Sequence, residues 1–180
     1  MEWVSGTFGS KVTMLYPTTI LKGEGAKMEY LGMSLASGAQ ILDSGAKVIC
    51  LADNTSAMIR SKSVAKNGGV SMTKTLAKIG KGVKGVKAYI DCKSLILDSE
   101  SRSYAEPVVD VKSGEAEVTH EASVGKLSEE ILYYLATRGI GEEKAKEILI
   151  RGFSEEITKA LPLEYAMEMN NLIKLEMQNM

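Results

Sequence analysis

The stretch SGAQILDSGAKVIC, residues 37–50, contains one seven-residue pattern twice in direct succession. Each copy begins with Ser-Gly-Ala and continues with aliphatic residues, which are typical of short buried strands. Glycine tolerates the positive φ of a tight corner, and alanine is small enough to pack against a neighbouring layer. A repeat this short leaves no room for hairpin returns. It therefore favours strands stacked coil upon coil, a β-helix with seven-residue half-coils, over a β-sandwich.

The first two thirds of the chain have the composition of a β-rich core. Residues 1 to about 122 hold most of the glycines, together with many Val, Ile, Thr and Ser residues in short alternating runs. Gly, Asn or Asp interrupts these runs, as expected at turns. The sequence predicts a β-helix core over residues 1–124. Within it, residues 99–107 are predicted to form a loop that disturbs the stacking.

After this core the pattern changes to helices, which predict a C-terminal helical subdomain over residues 125–180. Ser128 is placed to cap a first helix that carries Glu129 and Glu130 in its first turn. That helix is predicted to end at Arg138-Gly139, because a cation followed by glycine is typical of a helix C-terminus.

Three further helices are predicted. The second covers residues 142–151 and ends at Gly152; the third covers 155–161 behind a Ser154 cap; Pro162 ends it and opens the fourth. All are amphipathic, so their apolar faces must pack on the β-core, on each other or on a partner.

Composition narrows the functional class. The chain has 180 residues, 44% of them apolar, which suffices for one sizeable core with a helical tail. The net charge of −1 does not indicate binding to nucleic acid or an anionic membrane. No apolar run approaches the roughly 20 residues that span a bilayer, and no secretory signal pattern is present. We therefore expect a cytoplasmic protein without nucleic-acid or membrane partners.

Cys92, His120 and Glu121 are the candidate site residues. A thiolate attacks activated sulfur and binds the iron of clusters, imidazole replaces it in some centres, and a carboxylate is a harder ligand. The 28-residue gap from Cys92 to His120 equals four half-coils, which would separate them by two coils, or about 10 Å. The other cysteine, Cys50, lies between aliphatic residues and is expected to be a small buried apolar residue.

Several motifs along the chain resemble, in order, those of SufB and SufD, the scaffold proteins of the SUF iron–sulfur cluster assembly system. They are LKGEGA (21–26), DSGAKVI (43–49), ADNTSAMIRSKSVAKNGG (52–69), Cys92 with SLIL (94–97) two residues later, HEASVGKL (120–127), RGIGEEKA (138–145) and LPLEYAMEMNNLI (161–173). Cys92 and Glu121 make the chain more similar to SufB than to SufD.

The resemblance implies a right-handed parallel β-helix and a scaffold that accepts sulfur and iron, builds a nascent cluster and transfers it to apoproteins. Cys92 aligns with the sulfur acceptor, Glu121 with its acidic partner and His120 with a SufD histidine at the subunit interface. All three would then be ligands to the iron of a transient 4Fe–4S cluster. The chain begins at a point inside the β-helix of a full SufB, so a fragment or a short member is expected.

The resemblance also implies partners. The C-terminal helices would dock the ABC-type ATPase SufC, and the β-helix would pair with a second copy or a SufD-like chain; a sulfur donor would supply sulfur. The chain lacks the GxxxxGK phosphate-binding loop, so we expect no ATP site and no enzymatic activity of its own. The alternative is a non-catalytic structural partner that stabilises the scaffold–ATPase complex.

Overall fold

The computed structural model describes residues 1–178 of the chain, which form strands up to Lys126 and helices after it. The strands are β1 (Glu2–Phe8), β2 (Val12–Leu15), β3 (Thr18–Leu21), β4 (Lys27–Ser37), β5 (Ile41–Ser44), β6 (Lys47–Cys50), β7 (Ser56–Lys66), β8 (Val70–Ile79), β9 (Val86–Ile96), β10 (Arg102–Val111) and β11 (Ala116–Lys126). The helices are α1 (Glu129–Thr137), α2 (Glu142–Ala160) and α3 (Leu163–Gln178).

The strands stack into two parallel sheets that form the two sides of a solenoid. Sheet A has the order β1-β4-β7-β9-β11, and sheet B has the order β2-β5-β8-β6-β3, with β10 also beside β8. Every pair in both sheets is parallel. The predicted parallel β-helix with a helical tail is therefore confirmed.

The length of one coil differs from the prediction. Lys27 pairs with Ser56 and Ser56 pairs with Lys87, so one coil contains about thirty residues rather than fourteen. The two seven-residue copies form β5 and β6, which lie end to end in the same coil and pair with successive parts of β8. The repeat thus describes two short strands on one side of a coil, not two half-coils.

Gly45 explains why the repeat contains glycine at the junction of β5 and β6. A Cβ atom at this position would lie 1.8 Å from the carbonyl oxygen of Lys74 on the next coil. Only glycine permits this close backbone approach. Gly38, in contrast, has a φ of 59° and forms a true corner between β4 and β5.

The predicted loop at residues 99–107 is wrong for most of its length. The turn is short, because the Asp98 carboxylate accepts hydrogen bonds from the backbone N–H groups of Asn67, Glu100 and Ser101. Strand β10 then begins at Arg102 and runs through Pro107. Proline is tolerated because β10 lies in the last coil, where its second edge has no strand to receive an N–H bond.

The interior between the sheets has an apolar part and a hydroxyl-rich part. The apolar part includes Met28, Tyr30, Ile59, Ile79 and Ile90, all buried. In the hydroxyl-rich part, serine side chains bond each other: Ser63–Ser94 at 2.8 Å between neighbouring strands, and Ser34–Ser71 at 3.1 Å and Ser63–Ser103 at 3.3 Å between the two sheets.

The helices α2 and α3 pack on the outer face of sheet A. Buried residues of both helices form a second apolar cluster with outward-facing residues of β4 and β7: Leu31, Met33, Leu35, Val64, Ile150, Ile157, Met169, Ile173 and Met177. Polar contacts fix the orientation. Glu156 of α2 pairs with Arg60 at 2.7 Å and Lys62 at 3.1 Å, and the buried Lys66 ammonium donates to the Glu176 carbonyl of α3.

The first helix and the last helix follow the prediction, and the middle of the tail does not. Ser128 Oγ accepts the Ile131 N–H at 3.4 Å, and α1 ends before Gly139, whose φ is positive. Residues 142–160, however, form one helix rather than two. Ser154 caps nothing: it is buried, and its hydroxyl donates to the Arg151 carbonyl. Burial of Ile150 and Ile157 on sheet A offsets the roughly 1 kcal/mol that Gly152 costs inside a helix.

None of the helices in residues 1–178 combines the length and the apolarity needed to cross a bilayer.

Candidate functional site around Cys92

Cys92 lies in the middle of β9 and points into the interior of the β-helix. It is in register with Ser61 on β7 and with Ala122 on β11, so the three side chains share one face of sheet A. Its side chain is completely buried. Because β11 is the last strand of sheet A, a single strand separates the thiol from the open end of the solenoid.

The thiol lies at the boundary between the two parts of the interior. Ile90 precedes it on the same face and belongs to the apolar part, while Ser94 follows and belongs to the hydroxyl-rich part. Burial raises the pKa of the Cys92 thiol to about 11; the nearby Thr75 hydroxyl acts in the opposite direction, and the Asp91 carboxylate adds slightly to the rise. Cys92 is therefore a neutral thiol near pH 7, not a preformed thiolate.

His120 lies on β11, in register with Ile90. It shares the inward side of sheet A with Cys92, one strand away and two residues along. Strand spacing and rise put the two Cα atoms about 8 Å apart. They are thus one coil apart rather than two, because a coil is twice as long as the repeat indicated. His120 is exposed, since β11 has no further coil over it.

Glu121 points away from Cys92. It is in register with Asp91 and Arg60 on the outer face of sheet A. There Asp91 binds Lys93 at 2.9 Å and raises the pKa of that lysine, an effect to which the Glu121 charge adds. The structure therefore brings Cys92 and His120 to one face and leaves Glu121 on the other.

Residues 1–178 contain no cluster of three or more His, Cys, Asp or Glu side chains arranged to hold a metal ion. Cys50 lies on β6 in sheet B and is fully buried, as predicted for a small apolar residue. Burial raises the pKa of its thiol, and a hydrogen bond with Thr55 lowers it. Cys50 shows no link to Cys92 in the described residues, where both cysteines are free thiols.

Sequence reasoning missed the buried hydroxyl groups of β8, of which Thr75 lies beside Cys92. Ser71, Thr73 and Thr75 alternate along β8, and all three are buried. Such alternation of hydroxyl residues with long side chains was a visible signal, because period-two positions of a strand share one face. The sequence alone did not show that these hydroxyl groups belong near Cys92, because only the true coil length places β8 opposite β9.

Fold and site together define a β-solenoid protein with a cysteine buried beneath its last coil, and comparison with known proteins gives its family. A family model described as "SUF system FeS cluster assembly, SufBD core domain" matches residues 1–153. The chain therefore belongs to the SufBD family of iron–sulfur cluster assembly proteins, which confirms the family predicted from the motifs.

Curated relatives agree with this assignment. An "Iron-sulfur cluster assembly SufBD family protein" of Staphylococcus epidermidis is 50% identical over 178 residues, which is 99% of this chain and 38% of the relative. A protein of the same description from Staphylococcus aureus strain USA300 is 49% identical over the same length. The chain spans 38% of the length of these two relatives.

Proposed function

We propose that this chain is a cytoplasmic scaffold component of the SUF system, which accepts sulfur on Cys92, gathers iron and passes a nascent 4Fe–4S cluster to apoproteins. The position of Cys92, one strand below the open end of the β-helix, is the observation that carries this proposal. Ala122 of β11 lies over Cys92 in register, and His120 extends from the same side of that strand. The small side chain of Ala122 is thus part of the single layer that separates the thiol from the end of the solenoid.

The cluster is expected to be shared between two chains. One chain offers Cys92 and His120 on one face and Glu121 on the other, which is too dispersed for a complete ligand set. Strand β11 pairs only with β9 among the described strands, so its other edge is available for pairing. Exposed Val111 and Val124 add apolar surface at this end. A second copy or a SufD-like chain could pair here and supply the missing ligands.

The chemistry proposed for Cys92 needs a persulfide as sulfur donor. The Cys92 thiolate attacks the outer sulfur of a donor R–S–SH, a new S–S bond forms on Cys92, and the electron pair of the broken bond leaves with R–S⁻. The donor persulfide is reduced to the thiolate R–S⁻ as Cys92 is oxidised to a persulfide, so no further oxidant is needed. Because burial keeps the thiol protonated, the reaction requires local opening of the last coil, which lies at the low-stability end of a solenoid.

The helical tail is the element that we expect to dock the ATPase SufC. No residue of α1 is buried, and its Tyr133 is 74% exposed. Leu163 and Tyr165, in the first turn of α3, are also exposed. Apolar residues left uncovered in this way are typical of an interaction surface.

The alternative function is a structural partner that stabilises the scaffold–ATPase complex while another chain holds the cluster. The complete burial of Cys92 and the outward orientation of Glu121 favour this second candidate.

Anaerobic reconstitution with ferrous iron and sulfide, followed by absorption and Mössbauer spectroscopy, decides between the two functions. A scaffold should gain cluster absorption, and iron should co-purify with a dimer of the chain. If the folded chain gains no cluster either alone or with a SufD-like partner, the structural role is the correct one.

A further inference from the structure

The Thr75 hydroxyl is a buried hydrogen-bonding group without a partner. Thr75 lies on β8 and is only 2% exposed. Its Oγ1 atom has no hydrogen-bond partner among the described residues. An unpaired buried hydroxyl destabilises a folded protein, so its presence in an interior calls for an explanation.

The other hydroxyl groups nearby do not share this property. Ser63 bonds both Ser94 and Ser103, and Ser34 bonds Ser71. The hydroxyl-rich part of the interior is therefore largely satisfied by its own members. Thr75 is at its border, where the adjacent group is the thiol of Cys92.

We propose that Thr75 is a positioning residue for Cys92, whose hydroxyl donates a hydrogen bond to the sulfur atom that reacts. This inference rests on the proposed sulfur-accepting role of Cys92. The donor comes from sheet B, opposite the strand that carries the cysteine, so it restrains the sulfur from across the interior. In the resting chain the neutral sulfur is a weak acceptor, which explains why the Thr75 hydroxyl forms no regular hydrogen bond with it.

The bond should strengthen when the sulfur carries charge. Transfer from a donor R–S–SH forms the Cys92 S–S bond and releases R–S⁻, as described above, and the terminal sulfur of the resulting persulfide readily loses its proton. A buried anion requires a donor, and hydrogen bonds to charged groups are about twice as strong as those between neutral groups. The Thr75 hydroxyl is suitably placed to provide such a donor, and the apolar side of Cys92 offers none.

Four variants of the full chain test the role of Thr75, all in a Cys50→Ala background so that Cys92 is the single thiol. Thr75→Val removes the hydroxyl while conserving shape, and Thr75→Ser retains it. Thr73→Val is the matched control, because Thr73 is also buried and points inward two residues earlier on the same strand. The fourth variant is the Cys50→Ala background itself.

The first readout is the infrared S–H stretching band of Cys92, which does not depend on sulfur transfer. We expect the band to shift in Thr75→Val and to stay at the background position in Thr75→Ser and Thr73→Val. An unchanged band in Thr75→Val would overturn the proposal. A shift of the same size in Thr73→Val or Thr75→Ser would do the same, since packing rather than the hydroxyl would then be responsible.

The second readout is persulfide formation with inorganic polysulfide, measured by intact-protein mass spectrometry. Thr75→Val should form the Cys92 persulfide roughly tenfold more slowly than the background, and Thr75→Ser within about twofold of it. Equal rates in Thr75→Val and the background would contradict the proposal. If the background itself forms no persulfide, the proposed sulfur-accepting function fails, and the infrared band alone decides the role of Thr75.

Discussion

Cys92 and Glu121 lie on opposite faces of sheet A. Cys92 is in register with Ala122 and points into the β-helix, whereas Glu121 is in register with Asp91 and points to the outer face. A single iron cluster cannot contact both residues of one chain without a change in the register of β11. The arrangement therefore favours a site that a second chain completes, and it makes separate predictions for each residue.

Cys92→Ser should abolish cluster formation, because an alcohol is a poor substitute for a thiolate as an iron ligand and cannot hold a persulfide. Cys50→Ser should still form the cluster, since Cys50 is buried in sheet B, whereas Cys92 belongs to sheet A. Absorption after anaerobic reconstitution measures both. A Cys92→Ser variant that reconstitutes as well as the parent, beside a Cys50→Ser variant that does not, would reverse these roles.

His120→Ala and Glu121→Ala should each lower the iron retained after gel filtration. Both residues are exposed, so the free energy of unfolding should change by no more than about 0.5 kcal/mol. Glu117→Ala is the control, because Glu117 is an exposed carboxylate on the outer face of the same strand. Equal loss of iron in the control would mean that general surface charge, not a ligand, is responsible.

Association through β11 should be sensitive to charge on the inward side of that strand. Val124→Lys places a cation at the open end of the solenoid and should shift the chain toward monomer in sedimentation. Thr119→Lys adds the same charge on the outer face and should leave the association intact. A parent chain that sediments as a strict monomer at high micromolar concentration, with or without a SufD-like chain, argues against this interface.

Docking of SufC should depend on exposed residues of the tail. Leu163→Ala and Tyr165→Ala should each weaken binding by about 1–3 kcal/mol if they lie at the centre of the interface. Binding of purified SufC by calorimetry measures the loss. Truncation at Ser154 would be a poor test, because it cuts α2 in the middle and removes Ile157 and Ile173 from the buried cluster. Undiminished binding by the double variant Leu163→Ala/Tyr165→Ala would contradict the assignment.

Stability should fall at alkaline pH through Cys92. Its pKa rises from 9.0 to about 11 on folding, so between these values the folded state retains a proton that the unfolded state has lost. The contribution is fully present below pH 9 and disappears as the pH rises through about 11. Two pKa units correspond to about 2–3 kcal/mol. Urea unfolding at both ends of this range should show a smaller loss for Cys92→Ala than for the parent; equal losses would exclude the effect.

The elements that local chemistry determines could be predicted from the sequence. Ser128, the acidic first turn and Gly139 define α1 almost completely, and Pro162 locates the start of α3. Gly152 misled the prediction because its cost is small compared with burial of the α2 face on sheet A. That burial depends on contacts with strands more than eighty residues earlier, such as β7, which a local pattern does not contain.

The geometry of the site depended on one long-range quantity, the length of a coil. Alternation alone predicts that His120 and Glu121 point to opposite sides. The register between β9 and β11, in which Ala122 pairs with Cys92, decides which of the two shares the face of Cys92. The seven-residue repeat predicted a coil of the wrong length and therefore could not give this register. The repeat misled because β5 and β6 are two pieces of one side of a coil, joined at Gly45.

Because α2 is one continuous helix, it behaves as a single rigid element of the tail. The helix has 19 residues and is about 28 Å long, and it has no joint at Gly152 that could absorb a movement. Glu156, in the last third of this helix, forms an ion pair with Arg60 on β7, so the helix and the strand are held together as one rigid unit. Arg60 precedes Ser61, the register neighbour of Cys92. The ion pair thus ties α2 to β7, the strand beside the one that carries Cys92.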